Sequence, residues 1–501
     1  MSSPLGYRAN RRVVALASAA WLAVACSHGG SPAPKTAAEP PSAVAAPAPD
    51  LTKPPALGAP KPLALPAVVS RTLPNGLQLL VVEQHELPLA DFVLVVKSGG
   101  ETDEPGKLGT ATLATSLLKE GTTTRSSLQI ADQEAYLGVD IFANSGWDAT
   151  TVQLHTPTAQ LDSALALFAD IALHPAFPAA ELERLRKNRL TSLLQVKDRA
   201  PEMANRAFAA IVFGSAAYGH PLTGDEASTN AIQQSDVRRF YETYFRPNNA
   251  TLLAVGDVKP DDVERRARAL FGSWQRGAVP AANYGQPAPA KATTIYLVDK
   301  PGAAQSSFRI GSVGVARSTS DYFPLTVANT ALGGSFTSRL NQNLRETKGY
   351  TYGASSGFAM RRTPGPFIAS AEVVAAKTDS ALIEFMKELR AIHDTIPRDE
   401  LEKTKRYLQL QLPGRFETTG GIAGQLAGLV PYDVPLDFYN RYSQGIAAVT
   451  QADAQRVARQ YIDPDKLAIV IVGDRKSIEP TLKAAKVGDV VVVDITGRPA
   501  M

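Results

Sequence analysis

Cysteine is almost absent from this sequence, and charge of one sign does not dominate it. The 501 residues include one cysteine, so the folded chain has no internal disulfide in any compartment. The 52 lysines and arginines are nearly balanced by 48 aspartates and glutamates. This balance gives no reason to expect a nucleic acid partner, because proteins that bind a phosphate backbone concentrate basic residues on one surface.

Paired histidines are also missing. Six histidines are spread along the chain, at His28, His85, His155, His174, His220 and His393. No two of them have the helical spacing that places two imidazoles on one face as metal ligands. We interpret each histidine as structural or solvent-facing, and a composite metal site from distant histidines stays open at this point.

Long membrane-spanning runs are lacking as well. The apolar segment Val13–Ala25 is too short to span a bilayer as a permanent helix. It follows Arg8, Arg11 and Arg12 and ends just before Cys26. This order of a positive head, a short apolar run and a cysteine resembles a bacterial lipoprotein signal, which implies cleavage before Cys26 and a lipid on its sulfur. An ordinary secretory signal is the alternative.

Residues 26–66 are dominated by alanine and proline, with few large apolar side chains. Such a segment cannot bury a core, so we predict a disordered tether that follows a signal peptide of residues 1–25. The lipid would then anchor the mature chain on the periplasmic side of the bacterial cell envelope. Ser27, directly after the cysteine, favours the outer membrane, as the lipoprotein resemblance implies.

The rest of the sequence repeats itself. Phe245–Val258 (FRPNNATLLAVGDV) is echoed by Ile462–Arg475 (IDPDKLAIVIVGDR), with Pro247 and Pro464 at matching positions. Two further pairs of blocks upstream keep nearly the same interval. The repetition indicates duplication of one domain of roughly 210 residues.

Short strand-like runs alternate with amphipathic helices, a pattern that predicts an α+β fold. We expect two homologous domains, each a mixed β-sheet with helices packed on one face. The first domain covers residues 67–275 and the second covers residues 294–490. The linker between them, residues 276–293, is rich in proline, alanine and glycine and has no periodicity.

Residues 109–122 (GTATLATSLLKEGT) resemble the zinc-site helix of the pitrilysin/insulinase (inverzincin) metallopeptidases. In that family G-x-A-H-x-x-E-H places two imidazoles on one helical face with a carboxylate between them. Here the glycine and alanine match, but Thr112, Thr115 and Ser116 stand at the His, Glu and His positions. Hydroxyls supply neither an imidazole nitrogen nor a carboxylate.

The resemblance implies a third zinc ligand, a glutamate on a later helix, and this glutamate is missing too. The matching stretch is Arg186–Pro201, where Leu193 takes the equivalent position between other non-ionisable residues. We therefore predict that this chain holds no metal and no other cofactor.

A stretch in the second half matches a different part of the family's active-site pattern. Leu332–Ala354 (LGGSFTSRLNQNLRETKGYTYGA) resembles the family's L-G-G-x-x-x-S-R-L…L-R-E…G-x-x-Y segment, with Arg345 and Tyr352 on its arginine and tyrosine. The resemblance implies that this pair faces a zinc across a closed chamber, where the guanidinium grips substrate carbonyls and the phenol donates to the oxyanion. A surface arginine and a packed tyrosine are the alternative.

A further stretch concerns the substrate. Gly138–Asn144 (GVDIFAN) matches the family's edge strand beside the active site, where a peptide adds as an extra strand. The candidate substrate-binding residues are Ile141, Phe142, Ala143 and Asn144. A simple sheet strand is the alternative.

Short members of this family, such as mitochondrial processing peptidase and bacterial heterodimeric peptidases, work as pairs of two-domain chains. Because this chain keeps Arg345 and Tyr352 without the ligands, it resembles the zinc-free subunit of such a pair. We predict that it is inactive alone and joins a zinc-bearing sister chain in a periplasmic metalloendopeptidase that degrades unfolded peptides. The alternatives are an inert peptidase-like binding or structural protein at the outer membrane, and an enzyme acting through an unrecognised site.

Overall fold

The computed structural model describes residue 52 and residues 65–500 of the chain. The predicted signal peptide, the predicted lipidation site at Cys26 and nearly all of the predicted tether lie outside the described residues. Within the described part of the chain, no helix combines the length and the apolar character needed to cross a bilayer.

Two six-stranded β-sheets form the centre of the described region. The strands of the first sheet are β1 (Val68–Thr72), β2 (Gln78–Glu83), β3 (Leu89–Val96), β4 (Asp140–Ser145), β5 (Thr150–Pro157) and β6 (Ala250–Gly256). The strands of the second sheet are β7 (Thr294–Asp299), β8 (Gln305–Val313), β9 (Thr351–Phe358), β10 (Pro366–Val374), β11 (Ala468–Gly473) and β12 (Asp489–Val493).

Helices surround both sheets. Those in the first half are α1 (Thr110–Leu117), α2 (Ser127–Leu137), α3 (Leu161–Leu173), α4 (Ala179–Gln195), α5 (Ala200–Phe213), α6 (Glu226–Ala231), α7 (Gln234–Tyr244) and α8 (Pro260–Phe271). Those in the second half are α9 (Tyr322–Asn329), α10 (Arg339–Asn341), α11 (Thr378–Ala391), α12 (Arg398–Gln411), α13 (Thr419–Ala427), α14 (Phe438–Ala448), α15 (Gln451–Tyr461) and α16 (Arg475–Ala484). Two π-helical segments follow α9 and α10 directly, over Thr330–Gly334 and Gln342–Thr347.

The two sheets share one topology, which confirms the predicted α+β fold with two homologous halves. Their strand orders are β1-β2-β6-β3-β5-β4 and β12-β7-β11-β8-β10-β9. In both sheets the third strand, β6 or β11, runs parallel to the strand on one side and antiparallel to the strand on the other. Only the first position differs, because β1 is antiparallel to β2 whereas β12 is parallel to β7.

Each half also contributes a helix to the sheet of the other half. Helix α5 packs against β8 and β11, and its residues Met203 and Ala207 share a buried core with Val470 and Val472 of β11. Helix α13 packs against β3 and β6 of the first sheet. The exchange adds a cover to the second face of each sheet, beyond the helices predicted on one face, and it joins the halves through apolar burial.

The amphipathic helices predicted from the sequence include α8 (Pro260–Phe271) and α15 (Gln451–Tyr461). A capping box from Thr450 and Asp453 fixes the start of α15. The stretch 276–293, predicted as a linker, contains no helix or strand. The second sheet continues to the end of β12 and so includes residues beyond 490.

Candidate functional site

The altered zinc-site helix, α1, begins at a tightly constrained loop. Gly109 precedes it with a left-handed backbone (φ 89°), and a side chain at this position would collide with the carbonyl oxygen of Thr223. Asp103 accepts hydrogen bonds from the backbone N–H groups of Gly109 at 2.6 Å and of Ala111 at 2.9 Å. Burial raises the pKa of Asp103 to about 7. These contacts fix the position at which α1 begins. They use the Asp103 carboxylate for backbone hydrogen bonds and do not place it on the outer face of the helix as a metal ligand.

The three hydroxyls at the ligand positions are used inside the helix. Thr112 Oγ1 donates to the Gly109 carbonyl at 2.9 Å, Thr115 Oγ1 to the Ala111 carbonyl at 2.8 Å, and Ser116 Oγ to the Thr112 carbonyl at 2.9 Å. Thr115 is buried, whereas Ser116 is exposed. Because each hydroxyl proton is bound to backbone, the three side chains do not converge on a common ligand.

A guanidinium lies against this helix. Arg189, on α4, donates to Thr112 Oγ1 at 3.0 Å and to the Gly109 carbonyl at 2.8 Å. Burial lowers the pKa of Arg189 to about 10, and the charge of Asp103 opposes that shift. Arginine still carries its full positive charge at neutral pH, so it repels a metal cation from this position. Arg189 was not among the site residues predicted from the sequence, although it lies one helical turn before Leu193.

The residues present do not fit zinc. Leu193 is partly buried and brings a hydrocarbon side chain where the family's third ligand would bring a carboxylate. Across residues 65–500, no group of three or more His, Cys, Asp or Glu side chains is placed to hold a metal ion. Among the histidines predicted as structural or solvent-facing, His85, His155 and His174 have separate carboxylate partners, which are Asp257, Asp91 and Asp170. His220 and His393 contact the backbone carbonyls of Pro221 and Ile462 instead.

Arg345 and Tyr352 lie on neighbouring elements of the second half. Arg345 belongs to the π-helical segment after α10, which contacts β9, and Tyr352 is the second residue of β9. The phenol of Tyr352 is 91% exposed. The guanidinium of Arg345 lies 4.2 Å from the ring centroid of Phe336, and 3.2 Å from Glu346 without hydrogen-bond alignment. π-Helical turns often occur at functional sites, and this one presents Arg345 beside an exposed aromatic ring.

The predicted edge strand is β4, which pairs only with β5 in the first sheet and packs beside α1. Its backbone edge is partly occupied, because Ile141 N–H donates to Glu134 at 3.0 Å and the Ile141 carbonyl accepts from Lys119 at 2.6 Å. Alternation along an antiparallel strand leaves the outward groups of Ala143 for a further strand. Phe142, 62% exposed, points to the open side near Lys119.

Asn144 lies next to the end of β4, paired with Thr151 of β5. Its backbone carbonyl accepts from the Thr151 hydroxyl at 3.5 Å, so it faces the neighbouring strand. The four candidate substrate-binding residues thus differ in what they present. Ala143 offers backbone and Phe142 offers an apolar side chain, whereas Ile141 and Asn144 are already engaged.

Two family models match the chain. The model of the insulinase family, peptidase family M16, matches residues 79–226, and the model of the peptidase M16 inactive domain matches residues 231–408. An uncharacterized zinc protease of Streptomyces coelicolor is 27% identical over 58% of this chain and 64% of its own length. The match therefore spans less than two thirds of that relative. An uncharacterized zinc protease of Rickettsia bellii is 23% identical over 68% of this chain and 82% of its own length.

Solved structures show the same likeness. The crystal structure of a peptidase M16 inactive domain from Pseudomonas fluorescens superposes with a TM-score of 0.76 and 26% identity, over 81% of this chain and 98% of that one. A protease from Helicobacter pylori gives a TM-score of 0.76 at 22% identity, over 81% of this chain and 100% of that one. The second likeness concerns the fold alone.

Proposed function

The chain belongs to the insulinase family of peptidases, family M16, and from this premise we propose that it is the zinc-free subunit of a heterodimeric zinc metalloendopeptidase. In this proposal a zinc-bearing sister chain holds the metal, and the present chain supplies substrate-binding surface together with Arg345 and Tyr352. The complex would act on unfolded peptides in the bacterial periplasm, anchored to the membrane, most simply the outer membrane, through a lipid on Cys26.

One contrast carries the proposal. In the first half, Arg189 and three internally bonded hydroxyls stand where the ligands are expected, so the residues of this site do not fit a zinc ion. In the second half, Tyr352 is 91% exposed, and its phenol has no hydrogen-bond partner within residues 65–500. An exposed side chain without a hydrogen-bond partner in the described part of its own chain is suited to act in a site that a second chain completes.

The pair has chemistry suited to peptide hydrolysis. Zinc in the sister chain would activate the attacking water. The Tyr352 phenol donates a hydrogen bond to the oxyanion that forms as the peptide carbonyl is attacked. The Arg345 guanidinium, already next to the Phe336 ring, grips a neighbouring substrate carbonyl and orients the scissile bond.

The edge of the first sheet suits an extended peptide. Its backbone would pair with the outward groups of Ala143, and one of its side chains would lie over Phe142. The hydrogen bonds from Lys119 and to Glu134 at Ile141 limit the added strand to the part of β4 beyond that residue. The peptide is therefore held by main-chain bonding over a short segment, which favours substrates without tertiary structure.

Reconstitution with the zinc-bearing sister chain tests the proposal. Tyr352→Phe removes one donor to the oxyanion and should lower turnover on a quenched unstructured peptide on the order of 100-fold. Arg345→Ala should lower turnover and also raise KM, because positioning is lost. Heterodimer formation and the partner's zinc content should stay unchanged in both.

Tyr136→Phe and Arg441→Ala are matched controls, since Tyr136 is 88% exposed on α2 and Arg441 is an exposed residue of α14. Both should retain full activity. Full activity from the Tyr352→Phe and Arg345→Ala complexes would instead identify the pair as a structural remnant. A peptidase-like binding or structural protein would then be the better description of the chain.

A further inference from the structure

A cavity lies beside the altered zinc site, where the two halves of the chain meet. Its volume is about 610 Å³, within the range of small-molecule binding sites. Arg189 and Leu193 of α4 form part of its wall, as do Arg361 and Ile368 from the second half. The cavity thus shares two residues with the altered site but extends away from the hydroxyls of α1.

Positive charge dominates the wall of this cavity. Four arginines line it against one carboxylate, that of Glu202, and they are Arg189, Arg199, Arg206 and Arg361. Glu202 lies 3.1 Å from the guanidinium of Arg199, so it is already paired. The other three guanidinium groups have no carboxylate partner among the residues that line the cavity.

Arg361 is held over aromatic rings instead of against an acid. Its guanidinium carbon lies 4.9 Å from the ring centroid of Trp147 and 4.5 Å from that of Tyr218. The acid whose charge acts on it, Asp148, accepts hydrogen bonds from the Tyr218 hydroxyl at 2.7 Å and from a backbone N–H at 3.1 Å. The N–H groups of Arg361 are therefore available to a ligand.

Arg206 and Arg189 are similarly placed. The acids whose charges act on them, Asp225 and Asp103, accept hydrogen bonds from backbone N–H groups at the starts of α6 and α1. Arg189 donates only to neutral oxygens, and the side chain of Arg206 has no hydrogen-bond partner within residues 65–500. Burial lowers the pKa of both, as it does for Arg361, so each charge has lost hydration that no ion pair replaces.

We propose that this cavity binds a carboxylate attached to an apolar or aromatic body, with Arg206, Arg361 and Arg189 around the carboxylate. Guanidinium groups match the two oxygens of a carboxylate in a bidentate manner. Leu193, Phe208 and Ile368 give the cavity an apolar wall for the body of the ligand. The inference goes beyond the proposed function, because it needs neither the sister chain nor peptide hydrolysis.

Two pairs of ligands test the proposal and distinguish its possible sources, a free organic acid and a peptide carboxyl terminus. Calorimetric titration of the full chain would compare phenylbutyrate with phenylbutanol, and a short peptide ending in phenylalanine with its terminal amide. At least one acid should bind about tenfold or more tightly than its neutral counterpart. Whichever acid binds identifies the source.

Variants locate the binding. Arg361→Met and Arg206→Met should each weaken binding of the acid at least about tenfold. Arg441→Met makes the same charge change on an exposed helix surface and should leave binding unchanged. Thermal unfolding of each variant checks that it is folded. Because Arg206 and Arg361 lie in different parts of the chain, one local folding defect would not explain a loss of binding in both variants. The proposal would be overturned if the neutral ligands bound as tightly as the acids or if neither acid bound. Unchanged affinity for the acid in both folded variants would overturn it as well.

Discussion

Arg189 places a permanent positive charge against Thr112, on the helix that resembles the zinc-site helix of the family. Loss of the ligands alone would leave a polar surface that a few substitutions could convert back into a metal site. The guanidinium changes this situation, because it donates to Thr112 and to the Gly109 carbonyl and is itself partly buried. A metal ion at this place would face both electrostatic repulsion and a side chain that occupies the space.

This arrangement predicts the outcome of restoring the motif. The triple variant Thr112→His, Thr115→Glu and Ser116→His should bind no stoichiometric zinc, because the third carboxylate is missing and Arg189 remains. Adding Leu193→Glu and Arg189→Leu completes the ligand set and removes the competing charge. Elemental analysis of each purified variant is the measurement.

The variant that carries Leu193→Glu with Arg189 retained separates the two causes. Weak or absent zinc binding is expected there, with recovery only when Arg189 is also replaced. Stoichiometric zinc in the triple variant would show that neither Leu193 nor Arg189 prevents zinc binding.

The motif positions on α1 and the Arg345–Tyr352 pair could be predicted from the sequence, because each lies within a short local pattern. Arg189 could not be predicted in the same way. Its role depends on how closely α4 approaches α1 and on the direction of one long side chain. Likewise, the occupied edge at Ile141 depends on Lys119 and Glu134, which come from separate elements.

At the level of elements, the exchange of α5 and α13 is the feature that makes the two halves one folding unit. An amphipathic pattern predicts that a helix has an apolar face, but it does not say which sheet covers that face. The alternation of strands and amphipathic helices was therefore predicted from periodicity, whereas the exchange of α5 and α13 was not. The π-helical segments were also beyond prediction, since they arise from a local register change inside an otherwise helical pattern.

The exchange predicts cooperative unfolding. Met203→Ala on α5 removes a buried side chain between the halves and should destabilise the chain by about 2–5 kcal/mol. Trp147 and Trp274 both lie in the first half, and Trp147 also contacts Arg361 of the second half, so tryptophan fluorescence of the mature chain reports the first half and its junction with the second. Circular dichroism reports both halves. In a denaturant titration the two signals should shift together in Met203→Ala.

Leu128→Ala serves as the control, because Leu128 is 69% exposed on α2 and its loss leaves no cavity. Separation of the fluorescence and dichroism transitions in the native chain would mean that the halves unfold independently. The exchanged helices would then be a contact between two stable domains.

At the scale of the whole molecule, the two halves share a topology but differ in what they offer. The first half presents β4 beside a helix that has lost its ligands, and the second presents Tyr352 on β9. These strands take the same end position in their sheets. In the proposed function, one chain therefore provides a strand edge for a peptide and an exposed phenol for its carbonyl, and another chain provides the metal.

The amino-terminal segment adds a prediction about location. We propose that the mature chain begins at a lipid-bearing Cys26 and associates with membranes through its alanine- and proline-rich tether. Mass spectrometry of the amino-terminal peptide should detect the diacylglyceryl adduct, and Cys26→Ala should release the chain in soluble form or leave the signal uncleaved. An unmodified Cys26 in a soluble periplasmic product would contradict this proposal.

The metal content of the isolated chain and of its complex tests the central claim most directly. Purified without chelator, the chain alone should contain no stoichiometric zinc and should cleave no unstructured peptide. The reconstituted complex should contain one zinc for each pair of chains and cleave the same peptide. One zinc bound to each isolated chain, with peptidase activity in the absence of any partner, would contradict the account.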